Sequence, residues 1–148
     1  MTLKSNISID FVSPTQPVNL ATPHQIVHMP YISDIDIADV LSYRSLGIMS
    51  ATGTGKTALS KHYIEALEGR LDRVLVITHR QSLSKQLGNR LGLSCYLDFD
   101  DNEELADQKQ LVICLNSLHR LLLDGKMPKY DVIIIDEPQL CLNHLSSN

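Results

Sequence analysis

Apolar and polar positions follow two rhythms along this chain. Val74-Leu75-Val76-Ile77, Leu111-Val112-Ile113-Cys114-Leu115 and Val132-Ile133-Ile134-Ile135 are nearly unbroken apolar runs rich in β-branched residues. Short runs of this kind are the pattern of strands buried on both faces of a parallel sheet. A fourth apolar stretch, Leu46-Gly47-Ile48-Met49, stands further forward. Between these runs the apolar residues recur every three or four positions, as on an amphipathic helix. Helical patterns cover Ala58 to Leu67 and Ser82 to Leu91, the second carrying Leu83, Leu87 and Leu91, with Gly69 and Gly92 as stops. A brief strand over Ser94–Leu97 leads into an acidic loop, and a short helix from about Ser117 to Leu123 is broken by Gly125 and Pro128. Strands alternating with helices predict an α/β fold with a mostly parallel central sheet and helices on both faces.

The front of the chain reads differently. Residues 1–32 hold Pro14, Pro17, Pro23 and Pro30 with little periodicity, which predicts an extended or poorly ordered lead-in to a domain over 33–148. Ser33 and Asp36 form a weak capping box for a short helix to about Tyr43, although Ile35 and Ile37 also fit a two-residue strand period.

Candidate chemistry begins at Ser50-Ala51-Thr52-Gly53-Thr54-Gly55-Lys56-Thr57, between an apolar stretch and a helix. Unpaired N–H groups at a helix start converge on an anion, and the helix dipole adds positive potential there. Gly53 and Gly55 let the backbone curl close to phosphate, Lys56 would neutralise the β/γ-phosphates, and the Thr57 hydroxyl would ligate Mg²⁺. The strict form of such a loop has Gly where this chain has Ser50. A glycine turn with an incidental lysine is the plain alternative, so a second motif is needed.

Asp136 and Glu137 supply it, at the carboxyl end of the last strand. In a parallel sheet ligands gather at that edge, the edge expected for the Lys56 loop as well. Asp136 would hold Mg²⁺ and Glu137 would orient or deprotonate an attacking water.

Composition narrows the classes without choosing among them. The 148 residues are 43% hydrophobic and 20% charged, as in an ordinary globular domain. No apolar run is long enough to span a bilayer, and residues 1–20 lack a secretory-signal pattern. Cys95, Cys114 and Cys141 are odd in number and widely spaced; Cys114 and Cys141, in or beside apolar runs, read as small core residues, and a reducing cytoplasm fits best. A net charge of −4 argues against a broadly basic nucleic-acid surface. Locally, however, residues 56–90 carry seven Lys/Arg against three Asp/Glu, while 98–107 carry six acids and no base.

Ser50–Thr57 resembles motif I of the superfamily 2 helicases, and Asp136-Glu137-Pro138-Gln139 resembles their motif II, the DEAD/DExH box. Between them, Thr78-His79-Arg80-Gln81-Ser82-Leu83-Ser84-Lys85-Gln86-Leu87 is similar to motif Ia, and Asn116-Ser117-Leu118-His119-Arg120-Leu121 stands where motif Ib falls. Herpesvirus-type replication origin-binding helicases and related plasmid replication proteins carry a comparable His-Arg-x-x-Leu in motif Ia. The resemblance covers about residues 46–145.

It implies a RecA-like P-loop NTPase domain, a three-layer sandwich incomplete at its C-terminus, that uses ATP and Mg²⁺ to act on nucleic acid, DNA before RNA, in replication. Ser50, Thr52, Gly53, Thr54, Gly55, Lys56 and Thr57 would bind the nucleotide. Thr57 and Asp136 would hold the metal, and Lys56, Asp136, Glu137 and Gln139 would serve catalysis. Gln139 departs from the usual Asp or His of the box, which bears on its coupling role. Thr78, His79, Arg80, Ser117 and Arg120 would face the nucleic-acid backbone.

A second RecA-like domain, in a longer chain or another polypeptide, would supply the arginines that stabilise the transferring phosphoryl group. The 148 residues alone would then turn ATP over slowly. The resemblance places the protein in the cytoplasm, or in a host nucleus if it is viral, and away from membranes. A non-catalytic nucleotide-binding module docking onto a replication complex is the competing reading. A P-loop small-molecule kinase is a third, against which stands the lack of an arginine-rich lid segment.

Overall fold

Isoleucines at every second position open the first structured segment. In the computed structural model the described residues are 6–11, 25–28, 31–41, 46–51, 53–67, 69, 73–138 and 140–141. The chain divides into two units, Met1–Ala66 and Leu67–Asn148. In the first, β1 (Asn6–Phe11) lies between β2 (Gln25–His28) and β3 (Leu46–Met49) in an antiparallel sheet. Asn6 pairs with His28 and Ile9 with Ile48. The lead-in expected over 1–32 thus contains two paired strands among its described residues.

β3 was expected in the parallel sheet and pairs antiparallel with β1 instead. The alternation Ile7, Ile9, Phe11 gives β1 the period of a strand with one apolar face, which suits antiparallel pairing.

A 3₁₀ turn at Ile32–Asp34 and helix α1 (Ile37–Leu41) follow β2, and helix α2 (Lys56–Ala66) follows β3. α1 starts behind Asp36, whose Oδ1 accepts from the Ala38 N–H at 2.9 Å. The helix predicted from Ser33 therefore starts later, with Asp36 in the capping position, and its expected end near Tyr43 lies outside the described residues. Ile32, Val40 and Leu59 are buried together, with Leu46, Ile48 and Tyr63 packed around them.

The second unit is built on β4 (Val74–Thr78), α3 (Gln81–Leu91), β5 (Ser94–Cys95), α4 (Asn102–Asp107), β6 (Gln110–Cys114) and β7 (Val132–Ile135). All the pairings are parallel, in the order β5-β6-β4-β7. This is the parallel α/β arrangement that the run pattern predicts, and it agrees with the RecA-like domain that the resemblance implies.

β4 is central and buried throughout. Leu75 and Ile77 point with Leu111 and Ile113 into a core closed by Tyr96, Leu105 and Leu121. The other face receives α3, which approaches so closely that a Cβ on Gly88 would stand 3.1 Å from the Leu93 carbonyl and 3.9 Å from Val112. Sheet, α3 on one side, and α4 with the 3₁₀ segment Leu115–Leu121 on the other make three layers. Gly92 ends α3 in the left-handed region, at φ 74°.

Three local expectations change. The acidic loop contains α4, because Asp101 caps it: its Oδ1 accepts the Glu103 and Glu104 N–H groups at 2.8 and 2.9 Å. Glu103 and Glu104 then sit in the first turn, where the helix dipole favours negative charge. The strand over 94–97 shortens to Ser94–Cys95 and passes into a 3₁₀ turn, and the helix expected from Ser117 is the 3₁₀ segment Leu115–Leu121. β7 was expected to be buried on both faces. Among the described residues it ends the row of strands in its sheet, and Ile133 and Ile135 are 55% and 48% exposed.

The core assignment is testable by truncation. Leu111→Ala should lower stability by about 2–5 kcal/mol, whereas Leu122→Ala, at a half-exposed position, should stay within about 0.5 kcal/mol. Urea unfolding of both variants measures the difference.

Candidate nucleotide site

Two separately described sets of residues carry the chemistry. In the first unit, the segment after β3 turns through Gly53 and Gly55, whose φ angles of 80° and 95° exclude residues with a Cβ at little cost. α2 then begins at Lys56. Ser50, the departure from a strict glycine loop, has a structural task. Its hydroxyl lies 2.7 Å from the Thr54 hydroxyl, which also donates to the Ala51 carbonyl at 2.8 Å. The Ile32 N–H reaches the Thr54 carbonyl at 2.8 Å, tying the loop to the 3₁₀ turn.

Lys56 Nζ donates to the carbonyls of Ser50 and Ala51 at 3.0 and 2.8 Å, so the ammonium is folded over its own loop. A phosphate oxygen is a stronger acceptor than a carbonyl and would compete for that ammonium. Thr57 follows in the first turn of α2, half-buried. A glycine-bearing cradle, a lysine and a hydroxyl at a helix start fit a nucleotide phosphate with its Mg²⁺. Thr52 lies outside the described residues.

In the second unit, parallel pairing sets the ends of β4, β6 and β7 along one edge of the sheet. The Asp136 N–H donates to the Ile77 carbonyl at 2.9 Å, continuing the β4–β7 ladder past the strand end. Glu137 then enters the left-handed region at φ 51°, uncommon for a residue with a long side chain. Its carbonyl accepts the Leu140 and Cys141 N–H groups at 3.0 and 3.3 Å, starting a helical turn. Cys141 is buried beneath the doublet, its Sγ 3.6 Å from the Asp136 carbonyl oxygen. Burial pushes its thiol pKa up, and the charges of Asp136 and Glu137 and the neighbouring Cys114 add to the rise, so the thiol stays protonated at neutral pH. Gln139 lies outside the described residues.

The expected nucleic-acid residues sort into different environments. Thr78 is fully buried; its hydroxyl donates to the Arg80 carbonyl at 3.1 Å and meets the Ser84 hydroxyl at 2.7 Å. It fixes the turn instead of presenting a surface hydroxyl. His79 is nearly buried, with Nδ1 3.4 Å from Glu137 Oε2. Arg80 is exposed and Ser117 half-buried.

The Arg120 guanidinium is engaged inside the fold. It donates to Asn102 Oδ1 at 2.9 Å and to the Phe99, Asp100 and Tyr96 carbonyls at 2.7, 3.2 and 3.4 Å. Its task is to hold the segment that leads into α4. The His79–Glu137 contact was not legible from the chain, because it depends on β4 and β7 being neighbours. Among the described residues no group of three or more His, Cys, Asp or Glu forms a metal site of its own. No helix there is long and apolar enough to cross a membrane.

Comparison with known proteins places this arrangement. The family described as "Type III restriction enzyme, res subunit" (ResIII) matches residues 36–138, from α1 through both candidate segments. The chain belongs to the ResIII family. This is a helicase-type domain, in agreement with the superfamily 2 resemblance. A protein of Acanthamoeba polyphaga mimivirus with the provisional name helicase R8 is 35% identical over 111 residues, 70% of this chain and 10% of that protein. A second mimivirus protein, provisionally named a replication origin-binding protein, is 31% identical over 110 residues, 70% of this chain and 14% of its own length. An uncharacterized protein of Ostreid herpesvirus 1, ORF67, is 23% identical over 117 residues, 70% of this chain and 20% of its own length. The ResIII chain thus spans a small fraction of the curated relatives it matches. No solved structure matches it.

Left-handed backbone at Glu137 costs about 1–3 kcal/mol for a residue of this type. Glu137→Asn, which tolerates that conformation better, should leave the fold as stable or raise its stability by up to about 1 kcal/mol. Urea unfolding decides it, and a clear loss would mean that the Glu137 side chain holds structure.

Proposed function

We propose that this chain is the ATP-binding part of the first RecA-like domain of a nucleic-acid-dependent ATPase of the helicase type, acting in DNA replication. The observation that carries the reading is the loop at the start of α2, where two positive-φ glycines bring a lysine and a threonine together. The acid doublet at the end of β7 supports it.

In this reading the loop N–H groups and Lys56 hold the β- and γ-phosphates, with Ser50 and Thr54 keeping the loop in shape. Thr57 and Asp136 are the residues that would hold Mg²⁺, which when bound would supply charge neutralisation on the phosphates. Glu137 accepts a proton from the attacking water. The water oxygen bonds to the γ-phosphorus, and the bond to the bridging oxygen breaks, its electron pair leaving with ADP. Gln139 would couple this site to the rest of a motor.

Arg80 and Ser117 are the proposed contacts to the nucleic-acid backbone. Thr78 acts indirectly, by holding the Arg80 carbonyl, and Arg120 by shaping the neighbouring loop. A second RecA-like domain would complete the ATP site with arginines, so the 148 residues alone should bind ATP and hydrolyse it slowly.

The test uses the full-length protein. ATP turnover should rise on adding single- or double-stranded DNA, more than on adding RNA, and Lys56→Ala should lower it at least about 100-fold. Arg80→Ala should weaken DNA binding evenly across sequences and reduce the salt slope by about one. Turnover stimulated by a small phosphate acceptor and indifferent to nucleic acid would make the protein a kinase. Nucleotide binding with no turnover at all would make it a docking module.

A further inference from the structure

His79 was expected at the nucleic-acid surface, yet its side chain is only 11% exposed and stands beside Glu137. Both ring nitrogens are closed off from solvent, and neither has an aligned hydrogen bond among the described residues. The Glu137 carboxylate stands 3.4 Å from Nδ1, at ion-pair distance. A buried ring nitrogen without a hydrogen bond is a rare and unfavourable arrangement. A leucine or phenylalanine would fill the same space without it, so packing alone does not account for a histidine here.

Glu137 shows the complementary half. Its backbone is fixed on both sides, by the Asp136 rung to β4 and by the two N–H groups on its own carbonyl. Its side chain is 46% exposed and would sample several rotamers if nothing selected one. The His79 ring is a rigid neighbour on one side, with Nδ1 facing the carboxylate at 3.4 Å.

We infer that His79 is a positioning residue for Glu137, holding its carboxylate in the orientation that takes the proton from water. This rests on the reading of Glu137 given above. It also gives the Thr78-His79-Arg80 turn two outlets. The Thr78 hydroxyl and Ser84 knot the turn at the Arg80 carbonyl, His79 faces the acid, and Arg80 is open to solvent. A nucleic-acid phosphate held by Arg80 thereby acts on the same turn that orients Glu137.

Steady-state ATP hydrolysis by the full-length protein with saturating DNA tests the inference. His79→Ala should lower kcat about tenfold and leave KM for ATP within about twofold, because the interaction is realised in the chemical step. His79→Asn, whose amide nitrogen falls near the position of Nδ1, should recover most of that loss. In a Glu137→Gln background, His79→Ala should have no further effect. Losses that multiply, a raised KM at unchanged kcat, or no recovery with Asn would overturn the positioning role. If Glu137→Gln itself leaves kcat unchanged, the reading of Glu137 fails first. If Glu137→Gln is inactive and His79→Ala is fully active, this inference alone fails. Circular dichroism on each variant separates these outcomes from loss of fold.

Discussion

The bond from the Asp136 N–H to the Ile77 carbonyl is the constraint on which the second unit's chemistry depends. It is the last rung of the β4–β7 ladder, and it carries the pairing one residue beyond the strand. Parallel register puts Ile77 opposite Ile135, so the residues that follow each strand leave the sheet side by side. That is why the turn after β4 and the doublet after β7 meet, and why His79 and Glu137 touch although 58 positions separate them in the chain. Slipping the register by one residue would break this meeting and turn the apolar set of β7 to the opposite face.

Around that rung the chain places rigidity where the chemistry requires it. β4 is buried on both faces and cannot shift without opening the core. The turn after it is knotted by two buried hydroxyls, and the acid doublet is fixed on both backbone sides. Away from this edge, Arg73 ties the amino end of β4 to its surroundings. It donates to the Ala106 and Gln108 carbonyls and stacks 5.3 Å from the Tyr130 ring. The Lys56 loop in the first unit follows the same principle by other means: a serine–threonine hydroxyl pair and a backbone bond from Ile32 hold the loop around two positive-φ glycines.

Much of this was legible in the chain, and the exceptions share a cause. Val74–Ile77 and Leu111–Cys114 announce buried parallel strands because both of their faces are covered. The glycine loop and the doublet announce themselves because their residue types are costly anywhere else. What a linear pattern does not encode is which strands are neighbours. The antiparallel pairing of β3 with β1, the open face of β7 and the His79–Glu137 contact all follow from strand order. The internal bonds of Thr78 and Arg120 were not legible for a related reason: a hydroxyl or guanidinium is equally suited to a phosphate and to a carbonyl of its own chain, and only tertiary packing decides. α4 is different, since Asp101 with Glu104 is a capping signature that the density of acids in that stretch obscured.

Membership of the ResIII family and the viral relatives agree with a helicase-type domain. The central proposal is that Asp136 serves the metal of a bound nucleotide. Calorimetric titration of ATP into the full-length protein, with and without Mg²⁺, tests it most directly. Wild-type protein should bind ATP at least about tenfold more tightly with Mg²⁺. Asp136→Asn should lose most of that gain while metal-free ATP binds as before. If Asp136→Asn keeps the full metal-dependent gain, the acid doublet does not serve the metal of the nucleotide, and the account is wrong.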